Sequence, residues 1–173
     1  MDIKDKIIKE LYAEPEKWKH IREIARKSKV SPNSVRSYLT KEKKKGTISI
    51  KKQANMLTCR ANIDNEAYKT QKRLYNLAKI YESGIIKHLD DFYKPKAVVL
   101  FGSYNRGEDI STSDIDIAVI TPIKKRPDLT KYKKLLKRNI ELSLFTYKEI
   151  SEEFFNNLIN GTVLKGFLKY ERF

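Results

Sequence analysis

Two aspartates separated by a single residue, Asp114 and Asp116, sit in a stretch whose other members are apolar: Ile115, Ile117, Ala118, Val119 and Ile120. If this stretch is extended, alternate side chains share a face, so both carboxylates point one way while Ile115 and Ile117 point the other. Like charges on an apolar strand repel each other and lose hydration. A divalent cation relieves both costs, and hard oxygen donors suit Mg²⁺ or Mn²⁺, completed by water and substrate phosphates. Upstream, the apolar run Ala97-Val98-Val99-Leu100-Phe101 ends at Gly102-Ser103. A glycine there lets backbone approach a phosphate closely, and the Ser103 hydroxyl donates a hydrogen bond to it. A helix opening at that point would add its amide dipoles, and Arg106 could clamp a phosphate in bidentate fashion. Glu141, between Ile140 and Leu142 in a third strand-like run, is the expected third carboxylate. Three acids allow a two-ion arrangement, one ion activating a hydroxyl and the other holding a triphosphate.

These residues need two strands buried on both faces, Ala97–Phe101 and the run ending at Ile120, and a third through Glu141. The tail after Glu141 reads as one or two short helices, with Phe154, Phe155, Leu158, Ile159, Val163 and Leu164 packing and Gly161 and Gly166 as interruptions. From residue 65 to about 92 the pattern predicts one long helix with Tyr68, Leu74, Leu77, Tyr81, Ile85, Ile86 and Leu89 on one side. Gly84 weakens that helix without breaking it. Tyr104, beside the glycine-serine pair, is expected to pack rather than stack on a base.

The first part of the chain is a separate helical unit. Ile3, Ile7, Ile8, Leu11 and Tyr12 mark a helix ending before Pro15, and a second runs from Lys19 to about Ser28. Ser31 is a suitable N-cap with Pro32 at the first helical position, and Val35 and Leu39 continue the buried stripe of a third helix that Gly46 stops. Residues 47–50 and 56–60 are short strand-like runs, and the polar residues Lys51 to Asn55 are expected as their hairpin loop. His20 and His88 are isolated, and Cys59 reads as a small apolar residue.

Charge is unevenly spread. The whole chain of 173 residues carries +15, and residues 20–60 hold twelve Lys/Arg against Glu23 and Glu42, a local +10. Clustered positive charge is the footprint of a polyanion, whose phosphates release counterions when neutralised. A lone cysteine excludes an internal disulfide, no apolar run is long enough to span a bilayer, and the first residues lack the layout of a signal peptide. The expectation is a cytoplasmic protein without a membrane partner.

Helix, helix, turn, helix, hairpin, with Ala25 small in the segment Ile21 to Leu39, resembles a winged helix-turn-helix over roughly residues 1–62. That resemblance implies a nucleic-acid partner, DNA foremost, bound through residues 20–60. Asn33, Ser34, Arg36, Ser37 and Lys41 would face the groove, and Lys51 and Lys52 would meet backbone from the wing. Docking to protein is the rival use of such a module.

Gly102-Ser103, Ser113-Asp114-Ile115-Asp116 and Glu141 together resemble the polymerase-beta type nucleotidyltransferases, over about residues 93–168. The nearest likeness is to the minimal bacterial and archaeal members, some fused to a winged helix. The resemblance implies metal ligation and catalysis by Asp114, Asp116 and Glu141, and phosphate binding by Gly102, Ser103 and Ser113. Glu141 stands where many members have Asp. The implied fold is α+β: an N-terminal winged helix-turn-helix (residues 1–64), a connecting helix (65–92), and a small mixed sheet flanked by helices (93–173). The implied reaction moves a nucleoside monophosphate from an NTP to an acceptor hydroxyl with Mg²⁺ or Mn²⁺. A toxin protein is one acceptor the resemblance offers, the chain then acting as antitoxin. The alternative is a DNA-binding regulator whose second domain only binds nucleotide or a partner protein. Oligomeric state is open, a homodimer through the 65–92 helix being one candidate.

Overall fold

The computed structural model describes residues 2–53 and 55–169. Ala54 of the expected hairpin loop and the last four residues of the expected 93–173 domain lie outside the described residues, as does Met1. The chain is a mixed α+β protein that divides into two compact units, Met1–Lys72 and Arg73–Phe173, the division falling inside one helix.

In the first unit, α1 (Ile3–Ala13), β1 (Lys19–His20), α2 (Ile21–Ser28), α3 (Pro32–Lys44), β2 (Ile48–Gln53) and β3 (Met56–Ala61) follow in order. Ile7, Leu11, Ile24, Val35 and Leu39 are buried between the three helices. Ser31 caps α3, its Oγ accepting the Ser34 amide at 3.1 Å, and Pro32 occupies the first turn. Two expectations are corrected. Lys19 and His20 do not open the second helix; they pair with Cys59 and Thr58 as a short strand. The hairpin is also longer than its polar sequence implied. Lys51, Lys52 and Gln53 continue β2, paired with Thr58, Leu57 and Met56, because the antiparallel ladder bonds the backbone whatever the side chains facing solvent. Cys59 is buried, and its surroundings push the thiol up to about 12, so it behaves as an apolar residue.

The helix that follows starts with Asn65 Oδ1 accepting the Tyr68 amide at 3.0 Å. Contrary to expectation it is two helices, α4 (Glu66–Ser83) and α5 (Ile85–Tyr93). Gly84 adopts φ +77, and Ser83 Oγ donates to the Ile80 carbonyl and accepts the Ile85 amide, so the backbone groups freed at the break are satisfied. Already before the break, the buried face of α4 runs through Tyr68, Lys72, Asn76 and Ile80, four residues apart. Leu74 and Tyr81, expected inside, are 63% and 53% exposed, whereas Ile80, Ile85 and Leu89 are fully buried.

Residues 97–166 build a four-stranded mixed sheet in the order β6-β5-β4-β7, from β4 (Ala97–Phe101), β5 (Ile115–Ile120), β6 (Ile140–Phe145) and β7 (Thr162–Gly166). Strands β5 and β6 are parallel and the other pairs antiparallel. The remaining elements are α6 (Gly102–Arg106), α7 (Thr130–Leu136), a 3₁₀ turn at Tyr147–Glu149 and α8 (Glu152–Ile159). One face of the sheet packs Val98, Leu100, Ile115, Ile117 and Val119 with Ile80, Ile85, Leu89 and Tyr132. The opposite face packs Val99, Ala118 and Ile120 with Phe155 and Leu158 of α8. The helical reading of the tail holds only to Ile159. Thr162–Gly166 is a strand because β4 still has a free edge to bond, and Val163 stays 39% exposed on it.

Candidate active site

The sheet places the acids by register. Asp116 lies opposite Phe101, the last residue of β4, and on its other side opposite Glu141 of β6. Residues directly opposite across neighbouring strands share a face, so Asp116 and Glu141 stand side by side where β4 ends and β5 and β6 begin. Asp114 is exposed two residues earlier, just before β5 starts. The chain leaves β4 at Gly102, with φ +73, and enters α6 at once. A Cβ on Gly102 would lie 2.1 Å from Asp116 Oδ2. Glycine at this turn is therefore a condition for the carboxylate to sit where it does.

Ser103 is half-buried in the first turn of α6. Arg106, at the other end of that helix, is exposed and its Nε donates to Glu108 Oε2 at 2.7 Å. Ser113 closes a tight turn: its Oγ accepts the Ile110 amide at 3.0 Å and its own amide donates to the Ile110 carbonyl. The Ser113 hydroxyl proton is left for another acceptor. The structure thus brings Gly102, Asp116 and Glu141 together, with Asp114 and Ser113 next along the chain. Tyr104 is 5% exposed and packs in the core.

Two features are not evident from sequence. Arg126 faces the third acid, its guanidinium 3.9 Å from Glu141 Oε1. It lies in the extended segment after β5, which Tyr93 holds by donating from its hydroxyl to the Lys125 carbonyl at 2.9 Å. The basic run Lys124-Lys125-Arg126 is the signal that could have found it. The second feature is Asp109, buried beneath the loop that carries Ser113.

Burial first, then the neighbouring charges of Asp114 and Glu141, push the Asp116 carboxyl above the ordinary aspartate range, and Arg106 opposes them only in part. Among the described residues no three acidic, histidine or cysteine side chains close into a ready-made metal cage. The donor set nonetheless fits a hard divalent ion: all-oxygen ligands, like charges in excess of local cations, and one carboxylate that ionises reluctantly without a counter-charge. Linkage fixes the sign of a stability effect. An acid that holds its proton more tightly folded than unfolded loses stability as pH rises from the ordinary aspartate range through its raised value. Asp116→Asn is therefore expected to raise Tm in metal-free buffer at pH 7, by about 3 °C if about 1 kcal/mol is recovered. The gain should vanish below the aspartate range, where both proteins are neutral at this position; thermal melts across pH check it. An unchanged or lower Tm at pH 7 would show that the carboxylate is already compensated.

The pattern of the nucleotidyltransferase domain matches residues 82–163. The chain is 36% identical over 83 residues to "Putative protein adenylyltransferase MJ1379" of Methanocaldococcus jannaschii, covering 45% of this chain and 83% of that protein. The chain belongs to the nucleotidyltransferase family. A second protein of the same organism, "Putative protein adenylyltransferase MJ1215", is 48% identical over 46 residues, 27% of this chain and 51% of that protein. No solved structure matches significantly. As a nucleotidyltransferase the protein carries out nucleotidyl transfer, and nucleotidyltransferases of this kind generally use an NTP and a divalent metal. Among the described residues no helix is long and apolar enough to cross a membrane.

In the first unit, Asn33, Arg36, Ser37 and Lys41 are exposed on α3, and Ser34 is half-buried with its Oγ 2.8 Å from that of Ser31. Lys51 and Lys52 are exposed on β2. Lys51 Nζ lies 4.1 Å from the centre of the Trp18 ring and the Arg60 guanidinium carbon 5.1 Å from it. Trp18 thus gathers two cations on the hairpin, a role its position in the sequence does not reveal.

Proposed function

We propose that this nucleotidyltransferase moves AMP from ATP to a protein hydroxyl, through a metal–nucleotide site formed by Asp114, Asp116, Glu141, Gly102, Ser103, Arg106 and Ser113. The observation that carries the reading is the register that sets Glu141 beside Asp116, with Asp116 against a glycine where a side chain would displace its carboxylate. The choice of ATP and a protein acceptor is supported by the names of the two relatives. Asp114, Asp116 and Glu141 would hold Mg²⁺ or Mn²⁺, which supplies charge neutralisation at the triphosphate and a more nucleophilic acceptor oxygen. The Gly102 turn lets backbone amides reach the phosphates, Ser103 and Ser113 donate hydroxyl hydrogen bonds, and Arg106 adds a positive charge. The acceptor oxygen bonds to the α-phosphorus as the bond to the leaving pyrophosphate breaks, and the acceptor proton passes to solvent. Positioning and charge are most of what such chemistry asks of a protein.

The test is transfer itself. Purified protein, Mg²⁺ and each α-labelled NTP are incubated with a lysate of the host. Label carried from ATP onto protein supports the reading, and a labelled toxin partner would identify the antitoxin role. Label reaching only RNA or small molecules would overturn the acceptor class. No label anywhere, despite intact nucleotide binding, would favour the regulator reading.

The first unit is proposed to be a winged helix that binds DNA. Its support is the exposed polar and basic face of α3, with Lys51 and Arg60 gathered on Trp18. Affinity for duplex DNA is expected to fall steeply with salt. Arg36→Ala with Lys41→Ala should lower the slope of log affinity against log salt by about 1 for each phosphate that is no longer neutralised. Identical affinity and slope in the variant would remove α3 from the interface.

A further inference from the structure

The loop between α6 and Asp114 is tied from beneath by buried polar side chains that stand outside the set proposed to hold phosphate and metal. Asp109 is 1% exposed and Asn76 of α4 is 2% exposed. Asn76 Nδ2 donates to Asp109 Oδ1 at 2.7 Å and to the Tyr104 carbonyl, in the middle of α6, at 2.9 Å. On the other side Arg138, just before β6, sits 3.5 Å from Asp109 Oδ2 and donates to the Ser111 carbonyl. Next to it, the Asn139 carbonyl accepts the Ile115 amide at 3.0 Å, where β5 begins.

The bonds therefore hold two segments at a fixed separation. Asn76 grips α6, which starts with Gly102-Ser103. Arg138 grips Ser111, two residues before Ser113 and three before Asp114. Asp109 joins the two grips. A carboxylate taken fully out of water is costly unless it is bonded on both sides, so a tie of this kind is retained only at a substantial desolvation cost that an apolar loop anchor would not incur. Surface loops ordinarily carry no such buried anchor.

We propose that Asn76, Asp109 and Arg138 are positioning residues of the active site. They set the distance between the phosphate-binding turn and the carboxylates, and so the affinity of Asp114 and Asp116 for a divalent ion. The proposal rests on the metal–nucleotide reading of the site given above.

Mn²⁺ binding to the whole chain, titrated by electron paramagnetic resonance with and without ATP, tests it below the melting temperature of every variant. Asp109→Asn keeps the shape and loses the charge that meets Arg138; about tenfold weaker Mn²⁺ binding is expected, with an unchanged circular dichroism spectrum. Arg138→Lys keeps the charge but cannot reach Asp109 and the Ser111 carbonyl with one planar fork, and should fall between that variant and wild type. If Asp109→Asn fails to fold, Arg138→Lys and Asn76→Ser decide the matter by the same titration. Variants that melt earlier yet bind Mn²⁺ and ATP as wild type does would reduce the tie to fold stability and overturn the proposal. A wild type that binds no Mn²⁺, or binds it equally after Asp114→Ala, would overturn the metal reading as well, which separates the two failures.

Discussion

The Asp114→Ala/Asp116→Ala variant is expected to transfer nucleotide at least ~1000-fold more slowly than wild type, a loss of about 4 kcal/mol of transition-state stabilisation. The reason is electrostatic. Asp116 lies between Phe101 and Glu141 in the sheet, half-buried, and its carboxyl is already pushed up by burial and by Asp114 and Glu141. A group in that setting opposes its own ionisation, and the fold gains nothing from keeping it. Under the proposed reading, a charge that local cations offset only in part and a divalent ion would neutralise serves function rather than stability. Removing both aspartates is therefore expected to leave the protein folded and at least as heat-resistant, while Glu141 alone cannot hold an ion against solvent and the pull of Arg126. Single-turnover transfer with saturating NTP, beside a thermal melt, measures both parts. Activity within tenfold of wild type would place the chemistry elsewhere.

Gly102→Ala is the second large effect, and its two costs separate. The left-handed backbone at φ +73 costs an L-residue roughly 1–2 kcal/mol. The new Cβ would also stand 2.1 Å from Asp116 Oδ2. Because that oxygen ends a rotatable side chain, the clash is relieved by swinging the carboxylate away, so the fold survives with a Tm lowered by only several degrees. The proposed metal site is not expected to survive, since the carboxylate would leave the position a cation needs. A misplacement of about 1 Å costs on the order of 100-fold in rate. The expected signature is a modest drop in Tm with at least ~100-fold slower transfer and weakened Mn²⁺ binding. Equal transfer by the alanine variant would show that Asp116 works from another rotamer.

How much of this is legible in the sequence depends on whether a residue's role is local. Asp114-Ile115-Asp116 stands out because alternation along one strand needs no knowledge of its neighbours, although β5 begins only at Ile115 and Asp116 alone of the two is paired in it. The glycine-serine turn after an apolar run and the Ser31-Pro32 start of α3 are local for the same reason, and both stand in the structure as expected. Roles conferred by pairing are not legible. Lys51 and Lys52 look like loop residues until the ladder with Leu57 and Thr58 claims them. Val163 and Leu164 continue a helical spacing until the open edge of β4 bonds them as a strand. A stripe drawn through the apolar residues alone puts Leu74 and Tyr81 wrongly inside, because α4 buries Lys72, Asn76 and Ile80 instead and two of these are polar. Helix α7, made of lysines with Tyr132 and Leu136 inward, carries too few apolar residues to show a period. Within the site, the partnership of Asp116 with Glu141 needs the parallel register of β5 and β6. Asp109 is invisible because its partners, Asn76 and Arg138, come from distant elements.

The most direct question is where a divalent ion and a nucleotide sit. A crystal structure of the protein with Mn²⁺ and a non-hydrolysable ATP analogue, with manganese located by anomalous scattering, answers it. The prediction is an ion within about 2.2 Å of carboxylate oxygens of Asp114 and Asp116, with Glu141 in or beside the same shell and the phosphates against Gly102 and Ser103. An ordered nucleotide bound away from the Gly102 turn, or manganese held without either aspartate, would contradict it.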